Sequence, residues 1–478
     1  MKFRTVAHVV AAGGSILHLS PDQGAPWVEK EFGGADLGDP RLTKRLIKIS
    51  ARFAGNPGAS IPLACETPDR LKAAYRFFDN DNVNELEILE PHRQANKTRM
   101  AGQAVVLAVQ DTTQLDFTHH PATTGLGMLT DTAHQGLFYH PTLLVTPEKV
   151  PLGVADHLVW ERPAAECGKK HRRKQRPISD KESCKWLHSL EKTAQLQAAT
   201  PQVHLVNIAD REGDIYDYFV TAQCLQIDVL VRAAWNRRLD HADGDHLWDH
   251  LAAAAVAGEL SIDVPRRKGR PARRAVLAVR YRRVSLQPPR GRSKEKDLEP
   301  VTVWAVYAHE DHPAPGQEAV SWMLLTTVPV AAFDEATEKI HWYTCRWQIE
   351  LFFKILKSGC KIEQVQLETA ARLRRCLAVY AVVAWRVLFL TMQSRAVPDL
   401  PSDVLLELEE WQALYCHHHQ TKTPSPQPPT LAVAVRMIGR LGGFIGRKSD
   451  GHPGSTVIWR GLQRLQDLAA AWRLWRGA

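Results

Sequence analysis

The chain has 478 residues, with 61 Lys and Arg against 52 Asp and Glu, for a formal net charge of +9. At 44% hydrophobic and 24% charged it reads as globular, which excludes wholesale disorder, collagen and a coiled-coil rod. Its length allows about three domains at roughly 150 residues each, or one elaborated domain, and the basic balance points to an acidic partner, nucleic acid first.

Met1 to Ser20 opens like a signal peptide, with Lys2 and Arg4 before VAHVVAAGG. His8 and two glycines break the apolar run, so the expectation is a frayed tail or a start placed too early. From Trp27 to about Asn96 the pattern is helical. Asp39-Pro40 is a helix start, a capping aspartate followed by proline at the first helical position. Beyond it Leu42, Leu46, Ile49 and Phe53 share one face at about 100° per residue. Arg41, Lys44, Arg45, Lys48 and Arg52 share the opposite face. A second helix opens at Thr67-Pro68 and runs through Arg70, Lys72 and Arg76 to Phe78. Two short helices with one cationic stripe fit a small DNA-docking module, and a plain solvated face would read the same.

From residue 104 the pattern turns to strands. AVVLAV (104–109) ends at Gln110-Asp111-Thr112-Thr113, and GLFYHPTLLV and PLGVADHLVW follow. A helix with Trp186, Leu187 and Leu190 precedes VHLVNIA (203–209), which ends at Asp210-Arg211-Glu212-Gly213-Asp214. Strands alternating with helices predict an α/β sheet, whose chemistry gathers at strand C-termini. Two buried strands each ending in aspartate fit such a site, although either residue alone also suits a turn or a cap. Residues 233–325 read as a β-rich insertion, with runs such as RAVLAVRYRRVSL and VTVWAVYAHE. Two basic runs, KKHRRKQR (169–176) and PRRKGRPARR (265–274), read as loops facing a polyanion or as solubilising segments.

HWYTCRWQIELFFKILKSGCK (341–361) is predicted as one helix, on which Tyr343, Arg346, Glu350, Lys354 and Lys357 form a polar stripe. A carboxylate on so apolar a helix needs a partner. Arg346 or Lys354 at i±4 is one, and a divalent cation shared with Asp111 and Asp210 is the other. The stretch Leu377 to Leu390 is shorter than the ~20 residues of a membrane span and carries Arg386, so it reads as a buried helix. Eight scattered cysteines read as reduced, mostly buried thiols of a cytosolic protein. The Cys416 to His419 tract is a poor zinc site, because adjacent residues do not readily converge on one ion.

Asp111 in QDTT, Asp210 in ADREGD and the array Tyr343, Arg346, Glu350 and Lys357 resemble the DDE transposases of the insertion-sequence-four family. WVEKEFGGADLGDPRLTKRL, AAYRFFDN, SWMLLT around Trp322 and RLGGFIGRKSDG carry the resemblance over most of the chain. It implies an α/β, ribonuclease-H-like catalytic core with a β-rich insertion, flanked by an N-terminal helical DNA-binding domain and a C-terminal helical region. The implied division is an extension over 1–24, an end-binding domain over 25–96 and the first part of the core over 97–232. The insertion over 233–325, the second part of the core over 326–395 and a dimerisation region over 396–478 complete it.

The resemblance implies that Asp111, Asp210 and Glu350 hold two Mg2+ ions, for which Mn2+ substitutes. Hard cations prefer carboxylate oxygens, and two metals about 3.5–4 Å apart serve phosphodiester chemistry. The implied activity is cut-and-paste transposition. Transposon ends are cleaved, through a DNA hairpin in the resembling enzymes, and the 3′ ends are joined to target DNA. Tyr343, Arg346 and Lys357 match positions that grip phosphates. Trp322 matches an aromatic that stacks on a flipped base. Lys354, Arg211 and Arg232 match further phosphate contacts, and Arg41 and Arg45 match basic positions of the end-binding domain. The implied partners are double-stranded DNA, both transposon ends and target, and a second copy of the chain, with no membrane. The implied location is the bacterial cytoplasm, on the nucleoid. A metal-dependent nuclease without strand transfer and a non-catalytic DNA-binding descendant or inhibitor are the alternatives.

Overall fold

The computed structural model describes residues 27–164, 178–240, 246–264, 272–289, 298–447 and 450–476. The N-terminal extension, the KKHRRKQR run and residues 265–271 of the other basic run lie outside the described residues.

Five helices come first: α1 (Trp27–Phe32), α2 (Pro40–Gly55), α3 (Ile61–Cys65), α4 (Pro68–Phe78) and α5 (Glu85–Met100). Five strands follow: β1 (Val105–Gln110), β2 (Thr113–Asp116), β3 (Gly127–Met128), β4 (Gln135–Val145) and β5 (Pro151–Trp160). Next are α6 (Cys184–Ala199), β6 (His204–Ala209), α7 (Tyr216–Leu225), β7 (Asp228–Arg232) and α8 (Leu247–Ala252). Strands β8 (Gly258–Val264), β9 (Arg273–Leu286), β10 (Val301–His309) and β11 (Ser321–Thr326) precede α9 (Phe333–Thr344) and α10 (Trp347–Lys354). Helices α11 (Ala370–Ala396), α12 (Leu408–His419), α13 (Leu431–Leu441) and α14 (Ser455–Arg476) end the chain.

These elements form two compact units. One takes residues up to 104, 112–170 and 348 onwards, and the other takes 105–111 and 171–347. The first is organised on α11, the one helix among the described residues long and apolar enough to cross a membrane. It is instead a core helix, with 94% of its most apolar stretch buried. Its Arg386 donates to the Leu405 carbonyl at 2.8 Å and lies over the Trp27 ring at 4.3 Å. The N-terminal helices pack on it. Phe53 of α2 stacks on Tyr380 with centroids 4.8 Å apart, and Arg375 donates to the carbonyls of Val83 and Phe78 at 2.7 and 2.8 Å.

Helix α2 starts at the predicted residue. The Asp39 carboxylate accepts from the Arg41 amide at 2.8 Å, as the capping argument requires. Leu46, Ile49 and Phe53 are buried, while Leu42, one turn from the cap, stays half-buried. In the same unit β4 runs between β2 and β5, all antiparallel. Near the C-terminus α13 and α14 cross so closely that a Cβ on Gly461 would stand 1.9 Å from the Ile438 carbonyl oxygen, so glycine is required there.

The second unit holds a mixed sheet in the order β1-β6-β7-β11-β10-β9-β8. Strands β1, β6 and β7 are parallel, and the rest antiparallel. Apart from its first residue, each of β1 and β6 is wholly buried, as expected of parallel strands enclosed on both faces. At the far edge β8 alternates half-buried and exposed residues.

A buried polar cluster ties α1 to α5 and β5. Arg99 Nη1 and Nη2 donate to Glu31 Oε1 and Oε2 at 2.6 and 3.2 Å. His92 Nδ1 is 2.5 Å from Glu31 Oε2, and its Nε2 accepts from the Val154 amide at 2.9 Å. Since Nε2 accepts, the imidazole is neutral and carries its proton on Nδ1. Burial lowers His92 accordingly. Burial alone would raise Glu31, but Arg99 and His92 outweigh it and hold the carboxyl at about 2, against an ordinary 4.5. A depressed carboxyl contributes stability that is complete above 4.5 and is lost as pH falls towards 2. Glu31→Gln is expected to cost roughly 3 kcal/mol at neutral pH. In urea titrations the gap to wild type should shrink as pH falls from 4.5; a pH-independent gap would exclude the carboxylate as its source.

Candidate active site

In the second unit the strand register sets the site. Val109 on β1 pairs with Ile208 on β6, so Asp111 and Asp210, each two residues further on, stand level at adjacent strand ends. Ala209 pairs with Val231 on β7, which brings Arg232 to the same level. Adjacent strands lie about 4.8 Å apart, so the two carboxylates and the guanidinium begin from one row. A buried polar contact locks this register: Gln110 Nε2 donates to Asn207 Oδ1 at 2.5 Å, and Thr193 of α6 donates to the same oxygen at 2.9 Å.

Asp210 caps the short turn Arg211–Gly213, accepting from the Glu212 amide at 2.8 Å. Burial raises its carboxyl above the ordinary value, and the nearby Glu212 adds to this. The Glu212 amide bond, Arg346 and Lys185 offset only part of it. Asp111 accepts from Arg346 Nη1 at 3.0 Å. Tyr343 is buried and takes a hydrogen bond from Arg232, whose Nη2 also donates to the Ser321 carbonyl at 3.1 Å. Burial pushes the Tyr343 hydroxyl up, so it stays protonated. Trp322 on β11 is half-buried and meets Tyr343 edge-on, with centroids 6.2 Å apart. Arg211 is exposed on the turn. This unit thus gathers Asp111, Asp210, Arg211, Arg232, Trp322, Tyr343 and Arg346.

The single helix predicted over 341–361 is not observed. Helix α9 ends at Thr344. Cys345 and Arg346 then form a tight turn whose amides bond three residues back, to the Trp342 and Tyr343 carbonyls at 3.0 and 3.1 Å. Helix α10 ends at Lys354, and Ile355–Gly359 form a wider π turn closed by the Cys360 amide on the Ile355 carbonyl at 2.8 Å. The expected stripe is therefore divided over three segments. Periodicity could not foresee the break, because the tertiary partner of Arg346, Asp111, overrides local continuation.

In the first unit Glu350 is half-buried on α10 beside buried Gln348, Ile349, Phe352 and Phe353. Lys354 is exposed one turn on. Lys357, in the π turn, donates to the Gln114 carbonyl and pairs with Glu363 at 3.1 Å. On α2, Arg41 pairs with Asp39 at 2.9 Å and is exposed, as are Lys44 and Lys48, while Arg45 is half-buried.

Carboxylate oxygens at two adjacent strand ends, one of them under-neutralised, suit a hard divalent cation in donor type and charge. Among the described residues no three His, Cys, Asp or Glu side chains stand close enough together to hold a metal ion. That includes the Cys416 tract, where His418 faces Arg440 at 3.2 Å and His419 packs on Tyr415. The seven described cysteines are free thiols, and five are buried.

Three family profiles match the chain: Transposase DNA-binding over residues 24–83, Transposase DDE domain over 187–385, and Transposase Tn5 dimerisation domain over 382–477. The chain is a DDE transposase. It has the domain set of a Tn5-like transposase, binds DNA, forms dimers and belongs to an enzyme class that uses divalent metal.

The match to the DDE domain covers Asp210, Trp322, Tyr343, Arg346 and Glu350, and Asp111 precedes it. The strand register and the ion pair with Arg346 connect Asp111 to the matched residues in the transposase. One residue went unrecognised as structural. Asp214, four after Asp210, is wholly buried, and its Oδ1 accepts from Arg237 Nε and Nη2 at 2.8 and 2.6 Å. The spacing within ADREGD was its only sequence signal. Asp214→Ala should destabilise the transposase by roughly 3–5 kcal/mol, because it leaves the Arg237 charge buried and unpaired. Arg211→Ala should stay within about 0.5 kcal/mol of wild type. Urea midpoints of the two variants check both.

Proposed function

We propose that this transposase, of the insertion-sequence-four type, cleaves transposon ends and joins their 3′ ends to target DNA. The observation that carries the reading is the level placement of Asp111 and Asp210 on adjacent parallel strands in a chain matched by the Transposase DDE domain. Asp111, Asp210 and Glu350 are the residues assigned to hold two Mg2+ or Mn2+ ions. Such ions supply Lewis acidity for activating water and stabilising a leaving oxygen.

The chain's own residues bind and orient the DNA. Arg346 neutralises Asp111 in the protein alone. Asp111 would hold a cation, and the Arg346 guanidinium would then serve a neighbouring phosphate. Tyr343 offers a protonated hydroxyl, and Arg232, Arg211, Lys354 and Lys357 offer cations to neighbouring phosphates. Trp322 is assigned to stack on a base flipped out when a hairpin forms, and its half-buried ring supports this. Arg41 and Arg45, on the cationic face of α2, are assigned to hold the transposon end. The reading places two copies on paired ends, inside the cell with its DNA.

Cleavage and joining of DNA carrying the inverted repeats that flank the gene, with Mg2+ or Mn2+, tests this. Wild type should give hairpins and strand-transfer products that Glu350→Gln loses, by about 10³-fold or more on the scale of losing a group essential to the chemistry. Nicks without joining would leave a nuclease. Binding without any cutting would leave a DNA-binding descendant. In the same system Arg41→Ala and Arg45→Ala should weaken end binding, each lowering the slope of log affinity against log salt by about one. An unchanged slope with weakened cleavage would remove them from the end-binding surface.

A further inference from the structure

The turn after Asp210 fixes a second feature of the same unit. Asp214 Oδ2 accepts from the amides of Ala234 and Trp235 at 2.7 and 3.1 Å. Its Oδ1 holds Arg237, whose Nη2 also donates to the Asp214 carbonyl at 2.7 Å. Asn236 accepts from the Trp248 amide at 2.8 Å. The loop leaving β7 is therefore tied down at every residue from 234 to 237, yet the Trp235 side chain is 65% exposed.

Single exposed apolar residues are ordinary. Trp235 differs in rigidity and in place. Leu324 pairs with Arg232, and the Ala233 amide donates to the Met323 carbonyl at 2.8 Å, so Trp235 is one register step from the position facing Trp322. Three residues before it stands Arg232, level with Asp210. An exposed indole on a fixed backbone, beside cations and at a catalytic strand end, has the chemistry of a stacking platform for single-stranded nucleic acid.

We propose that Trp235 is a second nucleobase-stacking residue, taking the face of a base unpaired next to the cleaved phosphodiester. The inference rests on the end-cleavage reading above. Trp322 is half-buried and already meets Tyr343 edge-on, which limits the ring surface it offers. A duplex opened at the cut exposes a base on each strand, and Trp235 supplies the second face. Because every base has a π face, the contact tolerates sequence. Asp214 is a positioning residue, coupling the Trp235 loop to the turn that Asp210 opens.

The test uses the full-length protein, Mg2+ and end duplexes, intact or with a single abasic site at each position flanking the cut. Trp235→Ala should slow cleavage of the intact duplex by about tenfold to a hundredfold, as loss of one stacking contact does. Trp235→Phe should recover most of it. An abasic site at the stacked position should bring Trp235→Ala and wild type to the same rate. Equal cleavage of intact duplex by Trp235→Ala and wild type would overturn the stacking role and leave the cleavage reading standing. A defect that neither phenylalanine nor any abasic position relieves would show that the indole is merely structural, and overturn it too. Failure of wild type to cut any end duplex would overturn the cleavage reading itself, and this inference with it.

Discussion

The parallel register of β1, β6 and β7 is the constraint on which the candidate site depends. Parallel strands covered on both faces tolerate little but apolar residues along their length, so polar groups collect where the strands end. Asp111, Asp210 and Arg232 therefore arrive in one row. A slip of one residue would set Asp210 level with Gln110, which is fully buried, and would break the Gln110–Asn207 contact beneath the row. The register is held by packing and by that buried hydrogen bond together.

Charge balance decides what each aspartate at this edge does. Asp214 has a guanidinium and two backbone amides, and is a structural tie. Asp111 has Arg346. Asp210 is raised chiefly by burial, which the Glu212 amide, Arg346 and Lys185 offset only in part. Residues four apart in one short motif thus sit in opposite charge environments, set by partners rather than by residue type. An under-neutralised carboxylate beside a second one is a chemical request for a cation, as divalent-metal phosphoryl transfer requires.

The other unit answers a different demand. Its N-terminal helices are short and carry a cationic face, so they need support from elsewhere to hold shape. Helix α11 supplies it through the Phe53–Tyr380 stack and the buried Arg375 guanidinium on the carbonyl that ends α4 and one in the loop after it. Glu31, His92 and Arg99 add a buried polar tie between α1 and α5.

Near-neighbour chemistry was legible without coordinates. The Asp39 cap, the buried run of α11 and the two apolar strands ending in aspartate follow from local sterics, hydrogen bonding and hydrophobic period. Each depends on residues within a turn or a strand of one another. Other features depended on distant partners: the break at Cys345–Arg346, the pairing of Arg346 with Asp111, the short strand β7 and the burial of Asp214 under the Trp235 loop. None leaves a periodic trace, because each is set by which strand lies beside which and in what register. The sequence by itself determined the capped helix α2, the buried helix α11, the two strands with their polar ends and the family likeness. Only the tertiary structure decided which charges meet, because an ion pair between remote residues exists only after the sheet has aligned the strands that carry them.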